Sequence, residues 1–182
     1  MTLTPVSNLK LRHLFAATLF AVSAPFALDA QTGADTAPAF SLQHGPIFAS
    51  MRTLAGDSLT IGRGAPATLV AVFATWCRPC QDEVPIINML QRDFSSKVRV
   101  VALDEDEGNT AHVRQWLKQH GATYPVVQDT YGVVSKSLHA PGVPALYLVN
   151  SSGHAEWART GAMLALLPEL RARLKQLPDL PK

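Results

Sequence analysis

Cysteine is nearly missing from this sequence: Cys77 and Cys80 are the only two in 182 residues. A fold built on disulfides is therefore excluded. So is an ordinary structural zinc site, which takes about four ligands; the histidines at 13, 44, 112, 120, 139 and 154 make no ligand pair at the usual spacing. Charge is also sparse, at 16% of residues with a net of +2, and no run of Lys or Arg marks a nucleic-acid surface. No internal repeat or low-complexity tract appears, which sets aside solenoids and fibrous arrays. Long apolar runs are lacking too. The uncharged stretch Leu14 to Leu28 falls short of the roughly 20 residues that span a bilayer and is broken by Pro25. What remains is a 47% hydrophobic chain, long enough for one domain with a real core and short extensions.

The N-terminus reads as a targeting segment. Lys10 and Arg12 precede the apolar run, and small residues up to Ala30 follow it, as in a cleavable secretory signal. The alternatives are an uncleaved anchor and a buried core helix, the second disfavoured by Pro25. Residues 31–50 contain Gly and Pro among polar residues and read as a linker. Export, to a periplasm or beyond, places the two thiols where they become a disulfide unless something keeps them reduced.

From residue 51 to 176 the chain alternates strand and helix signals. Gly56-Asp57 between two short alternating runs predicts a hairpin closing one edge of a sheet. The Val-rich run Ala67–Ala74 predicts a central strand covered on both faces. A helix is expected over about 78–92, a strand over 97–103, a helix over 109–120 stopped by Gly121, and a strand over 124–128. A short helix over 131–138, strands over 144–150 and 154–159, and a helix over 166–176 with Pro168 in its first turn complete the domain. Residues 177–182, with two prolines, are expected to be irregular. The fold class is α/β, a mixed central sheet flanked by helices.

Cys77 and Cys80 fall where the central strand gives way to a helix. A four-residue disulfide loop stabilises a fold by only about 2 kcal/mol, so a staple is a poor use of them. A haem attachment would need His after the second cysteine, and Gln81 stands there. At a helix N-terminus the free N–H groups and the helix dipole favour thiolate at Cys77. That thiolate can attack a partner disulfide, and Cys80, one turn on, can resolve the mixed disulfide. Pro79 supports the first turn, and Arg78 adds a positive charge beside the nucleophile or is simply solvated.

Glu83 shares one helix face with Cys80, Val84, Ile87 and Leu90. A carboxylate on an apolar stripe should have a raised pKa, which suits a group exchanging a proton with Cys80. The alternative is a surface glutamate helped by the helix dipole. Asp104 to Glu107, "DEDE", reads as a solvated turn, with partner selection as the other reading. Trp116 and Trp157 lie in periodic segments and read as core.

The motif "FATWCRPCQDEVP" with "GVPALYLVN" downstream resembles the thioredoxin superfamily, and more closely its exported TlpA/ResA-type thiol–disulfide oxidoreductases. The resemblance spans about residues 40–176 and departs from the family motif by lacking the residue between Phe73 and Ala74. It implies a thioredoxin-like fold with an N-terminal hairpin and an extra helix–strand inserted between the cysteines and a cis proline. It implies that Glu83 assists proton transfer at Cys80, in place of the strand acid of ordinary thioredoxin, where Ala71 stands here. It implies a cis Pro144, with Val143 where Thr is common, offering backbone to an extended partner alongside Trp76, Arg78 and Pro79. The expected activity is disulfide reduction in partner proteins, for cytochrome c maturation or a similar envelope task. No cofactor beyond the redox-active disulfide is expected, and a membrane electron donor is. No nucleic-acid partner is expected, and contact with the membrane only through an N-terminal anchor. The alternative readings are a copper-delivering module of the same fold, with His139 near the Pro144 loop, and a disulfide-donating oxidase or isomerase.

Overall fold

The structure, a computed structural model, describes residues 45–180. The expected signal segment and most of the expected linker lie outside the described residues. Among the described residues no helix is long and apolar enough to cross a membrane.

The first strands, β1 (Ala49–Arg52) and β2 (Ser58–Ile61), pair antiparallel around the Gly56-Asp57 turn. They begin inside the expected linker: Ile47 is buried, and its N–H donates to Gly153 O at 2.8 Å. The hairpin does not close an edge of the main sheet, as the sequence suggested, but forms a separate two-stranded sheet. The reason lies in its attachment, which is by isolated bonds such as Leu54 N–H to Val126 O, 2.7 Å, and not by a continuous ladder.

The main sheet holds β3 (Thr68–Phe73), β4 (Arg99–Asp104), β5 (Val126–Gln128), β6 (Ala145–Val149) and β7 (Ala155–Thr160) in the order β5-β4-β3-β6-β7. β3, β4 and β5 run parallel, β6 is antiparallel to β3, and β7 to β6. Every residue of β3 is buried. Leu69, Ala71 and Phe73 face one core cluster and Val70 and Val72 the other, as a strand covered on both sides requires. β5 and β6 start later than expected, just after Pro125 and Pro144, because proline has no N–H to give to a ladder.

Helix α1 (Arg78–Asp93) buries Cys80, Glu83, Val84, Ile87 and Leu90, the stripe its spacing predicts. Pro85 sits on its exposed side. Helix α2 (Thr110–His120) is capped by the Asn109 side chain, which accepts His112 N–H at 3.1 Å, and ends at Gly121 in the left-handed conformation. The Asn88 amide of α1 binds Gly121 O at 2.8 Å and Thr123 N at 2.9 Å, joining α1 to the segment after α2. Helix α3 (Val133–Ser137) is started by Asp129, whose carboxylate accepts three backbone N–H groups. A 3₁₀ turn, Met163–Leu166, leads into α4 (Leu167–Gln176). Trp116 and Trp157 are core residues, as expected. The irregular tail packs back: Leu180 N–H donates to Ser96 O at 2.6 Å, and Lys97 Nζ to Leu177 O at 2.8 Å.

Candidate active site

The strand register gathers one set of termini at one end of the sheet. Phe73 pairs with Asp104, Asp104 with Gln128, Val72 with Ala145, and Ala145 with Thr160. Everything that follows β3, β4, β5 and β7, and whatever precedes β6, therefore meets there.

After Phe73 the chain turns through Ala74, Thr75 and Trp76. Cys77 N–H closes that turn on Ala74 O at 3.1 Å. Cys77 is the N-cap of α1, in extended backbone, and its Sγ accepts the N–H of Cys80 at 3.3 Å. The two sulfurs are bonded to each other. Both cysteines are nearly buried, at 4% and 3% exposure, whereas Trp76 beside them is 73% exposed. Arg78 and Pro79 are exposed as well. The Val143–Pro144 peptide is cis. Pro144 lies one step beyond the Val72–Ala145 pair, opposite Phe73, and so flanks the cysteine turn. Val143 is half-buried and packs against both core clusters.

Glu83 is not the surface glutamate that the helix-dipole alternative described. It is 4% exposed, and the N–H of Met163 donates to its Oε1 at 2.9 Å. Burial pushes its carboxyl up to about 8; the Met163 bond works against that and the Asp82 charge adds to it. Tyr124 is raised too, by burial first and then by the Glu83 charge. A carboxyl that holds its proton near neutrality, one turn from Cys80, can give and take that proton as the sulfur needs.

The reading of Asp104 to Glu107 as a solvated turn is overturned at Asp104 and Asp106, while Glu107 is exposed and Glu105 half-buried. Asp104 has no exposed surface and Asp106 very little. Asp104 is the last residue of β4 and points to the face of Val100 and Ala102, where the sequence pattern alternates inward. Asp106 accepts the N–H of Thr75 with both oxygens, at 3.3 and 3.1 Å, and Thr75 Oγ1 meets His112 Nε2 at 3.1 Å. The turn before Cys77 is thus held from β4 and from α2. Charge density alone misled; the signal available was that the first acid of "DEDE" continues a Val-rich strand without a break. Among the described residues no three His, Cys, Asp or Glu side chains gather as a metal-holding group.

The AhpC/TSA family model matches residues 34–158. The sporulation thiol–disulfide oxidoreductase A of Bacillus subtilis is 29% identical over 118 residues, covering 63% of this chain and 72% of that protein. The thiol–disulfide oxidoreductase ResA of B. subtilis is 33% identical over 92 residues, half of this chain and 51% of that protein. The crystal structure of StoA from B. subtilis superposes with a TM-score of 0.62 at 26% identity, over 72% of this chain and 98% of that one. A thiol:disulfide interchange protein DsbE from Chlorobium tepidum gives a TM-score of 0.66 at 22% identity, over 74% and 97%. The fold is thioredoxin-like, with α2 and β5 as the helix–strand insertion between the cysteines and the cis proline.

Proposed function

Since the chain belongs to the AhpC/TSA family, as a thioredoxin-like member related to ResA and StoA, we propose that it works as an exported reductase of protein disulfides. Thiol–disulfide exchange is the activity its relatives are named for. The direction, the compartment and the residue roles are our reading.

In the reduced protein Cys77, at the N-terminus of α1, attacks a partner disulfide as thiolate. One partner sulfur leaves, and a mixed disulfide forms with Cys77. Cys80 then loses its proton to Glu83 and attacks Cys77. The Cys77–Cys80 bond forms, and the partner departs with both thiols. The partner lies extended against the cis Val143–Pro144 segment, whose backbone it meets as an added strand, and Trp76, Arg78 and Pro79 shape the surface around it. The observation that carries this reading is the Cys77–Cys80 pair at the head of α1 with buried Glu83 on the same helix face. No further cofactor is needed, because the disulfide carries both electrons. A reductase outside the cytosol has to be recharged, and a membrane electron donor would do so. Maturation of cytochrome c, with its Cys-containing haem sites, is the envelope task such a reductase fits.

The test is a redox titration of the whole chain against glutathione or dithiothreitol, read by the fluorescence of Trp76 next to Cys77. A potential well below that of the glutathione pool supports the reductase. A potential well above it makes the protein a disulfide donor or isomerase. No reversible two-electron couple would end the exchange reading and turn attention to Cu(I) binding.

A further inference from the structure

β4 ends in a carboxyl group that no cation among the described residues neutralises. Asp104 is completely buried, and its Oδ2 meets no hydrogen-bond partner among the described residues. Its Oδ1 accepts the N–H of Asp106, at 3.4 Å. Glu105 and Asp106 follow it in the chain. Across the sheet stand Phe73 on β3 and Gln128 on β5, then Asp129, whose carboxylate is spent on α3; His112 of α2 comes near through Thr75. No lysine or arginine forms an ion pair with Asp104 among the described residues. Gln128 gives its carbonyl to Thr110, and its Nε2 bonds to nothing described.

A buried carboxyl gains a cation, gains donors or keeps its proton. At Asp104 no cation is present among the described residues, and the one donor is the long bond from Asp106 N–H. Burial first, then the Asp106 charge, the contact between the Asp104 and Asp106 side chains and the Glu105 charge all push in the same direction, against a single weak backbone bond, and hold its carboxyl up to about 7.

We propose that Asp104 keeps a proton and shares it with the Asp106 carboxylate, and that this pair, gripping the Thr75 N–H two residues before Cys77, is a positioning element that ties disulfide exchange to pH independently of Glu83. The proposal rests on reading Cys77 and Cys80 as the exchanging couple. Reduction breaks the Cys77–Cys80 bond and puts two electrons on its sulfurs, while a partner dithiol becomes a disulfide and releases two protons. One proton goes to Cys80. With Cys77 left as thiolate, the second goes to solvent while Asp104 is protonated. Where Asp104 has already lost its proton, at about pH 9, it stays ionised in both redox states, and the second proton again goes to solvent.

The sign follows. In acid the pair carries one negative charge in both redox states. Above neutrality it carries two, and the added charge opposes the thiolate, so reduction becomes harder. Thr75 and Cys77 Cα atoms are at most about 7.6 Å apart. Unit charges about 10 Å apart, at an effective dielectric constant of about 20, shift an equilibrium roughly tenfold.

The experiment is the glutathione equilibrium of the whole chain between about pH 5.5 and about pH 9, for the native protein, Asp104→Asn and Glu83→Gln. If the native protein gives no reversible couple, the exchange reading itself fails. Given a couple, Asp104→Asn should favour the reduced form about tenfold near pH 9, or about 30 mV, and less than about twofold near pH 5.5. A curve for Asp104→Asn that parallels the native one throughout overturns the proposal. A second measurement does not depend on how that variant folds. In Glu83→Gln, infrared spectroscopy should still show the carbonyl stretch of a protonated buried carboxyl below neutrality, lost as pH rises past it. Its absence at about pH 6 would mean that Asp104 is ionised there, and the shared proton would be ruled out.

Discussion

At one end of the sheet, where β3, β4 and β5 finish and β6 begins, the described residues bury Glu83, Asp104, Asp106 and Asp129. At the other end no carboxylate is buried among the described residues. There Lys97 reaches Leu177 O and the exposed Asp179, Leu180 closes on Ser96, and the Asn150 side chain accepts Ser152 N–H and His154 N–H at 2.9 and 3.0 Å. One end satisfies its polar groups near solvent with neutral partners or exposed charge. The other keeps acids in the dry interior around a disulfide, at a desolvation cost a purely structural end has no reason to carry. Stability and chemistry are thus assigned to opposite ends of the same five strands.

The sharpest way to break this contrast is Cys80→Ser. With the resolving sulfur gone, a mixed disulfide on Cys77 should accumulate and turnover should stop, with folding kept; mass spectrometry after one round with an oxidised partner reads the adduct. Leu174→Ala, at a fully buried position of α4, should do the reverse. It should cost about 2–5 kcal/mol in denaturant unfolding and leave the redox equilibrium where it was. Glu83→Gln should slow resolution by about a hundredfold, seen as a longer-lived mixed disulfide in stopped flow. It should also change the pH dependence of stability. Glu83 has a folded pKa of about 8, above the ordinary 4.5. Between those values the unfolded chain releases a proton that the fold retains, so oxidised-state stability falls as pH rises through that window. Asp104 contributes in the same direction up to about 7. The variant should flatten the part that belongs to Glu83, checked by urea midpoints across pH. Smallest of all, Lys97→Ala removes a partly buried hydrogen bond to Leu177 O and an ion pair with exposed Asp179 at the far end. It should cost within about 1 kcal/mol and shift no redox property, measured by the same unfolding curves and glutathione titration.

The strand and helix order, the cysteine pair and the buried helix stripe were all readable from apolar period and turn residues. Val-rich β3 and the spacing of Cys80, Glu83, Val84, Ile87 and Leu90 each obey a single local rule. The hairpin's detachment from the main sheet was not readable, because pairing between distant strands depends on tertiary attachment that local alternation does not encode. Asp104 and Asp106 were misread for a related reason. Four consecutive charged or acidic residues look solvated when counted, but burial is decided residue by residue by where the strand ends. The N–H of Met163 on Glu83 comes from eighty residues away and leaves no mark on the helix that carries the glutamate.

The Asn88 side chain, set on the helix that begins at the cysteines and bonded to both Gly121 O and Thr123 N, moors the inserted α2–β5 segment to that helix as well as to β4. The insertion that carries His112 to the cysteine turn is thereby fastened at both ends of α2 to the strand–helix unit that bears the cysteines.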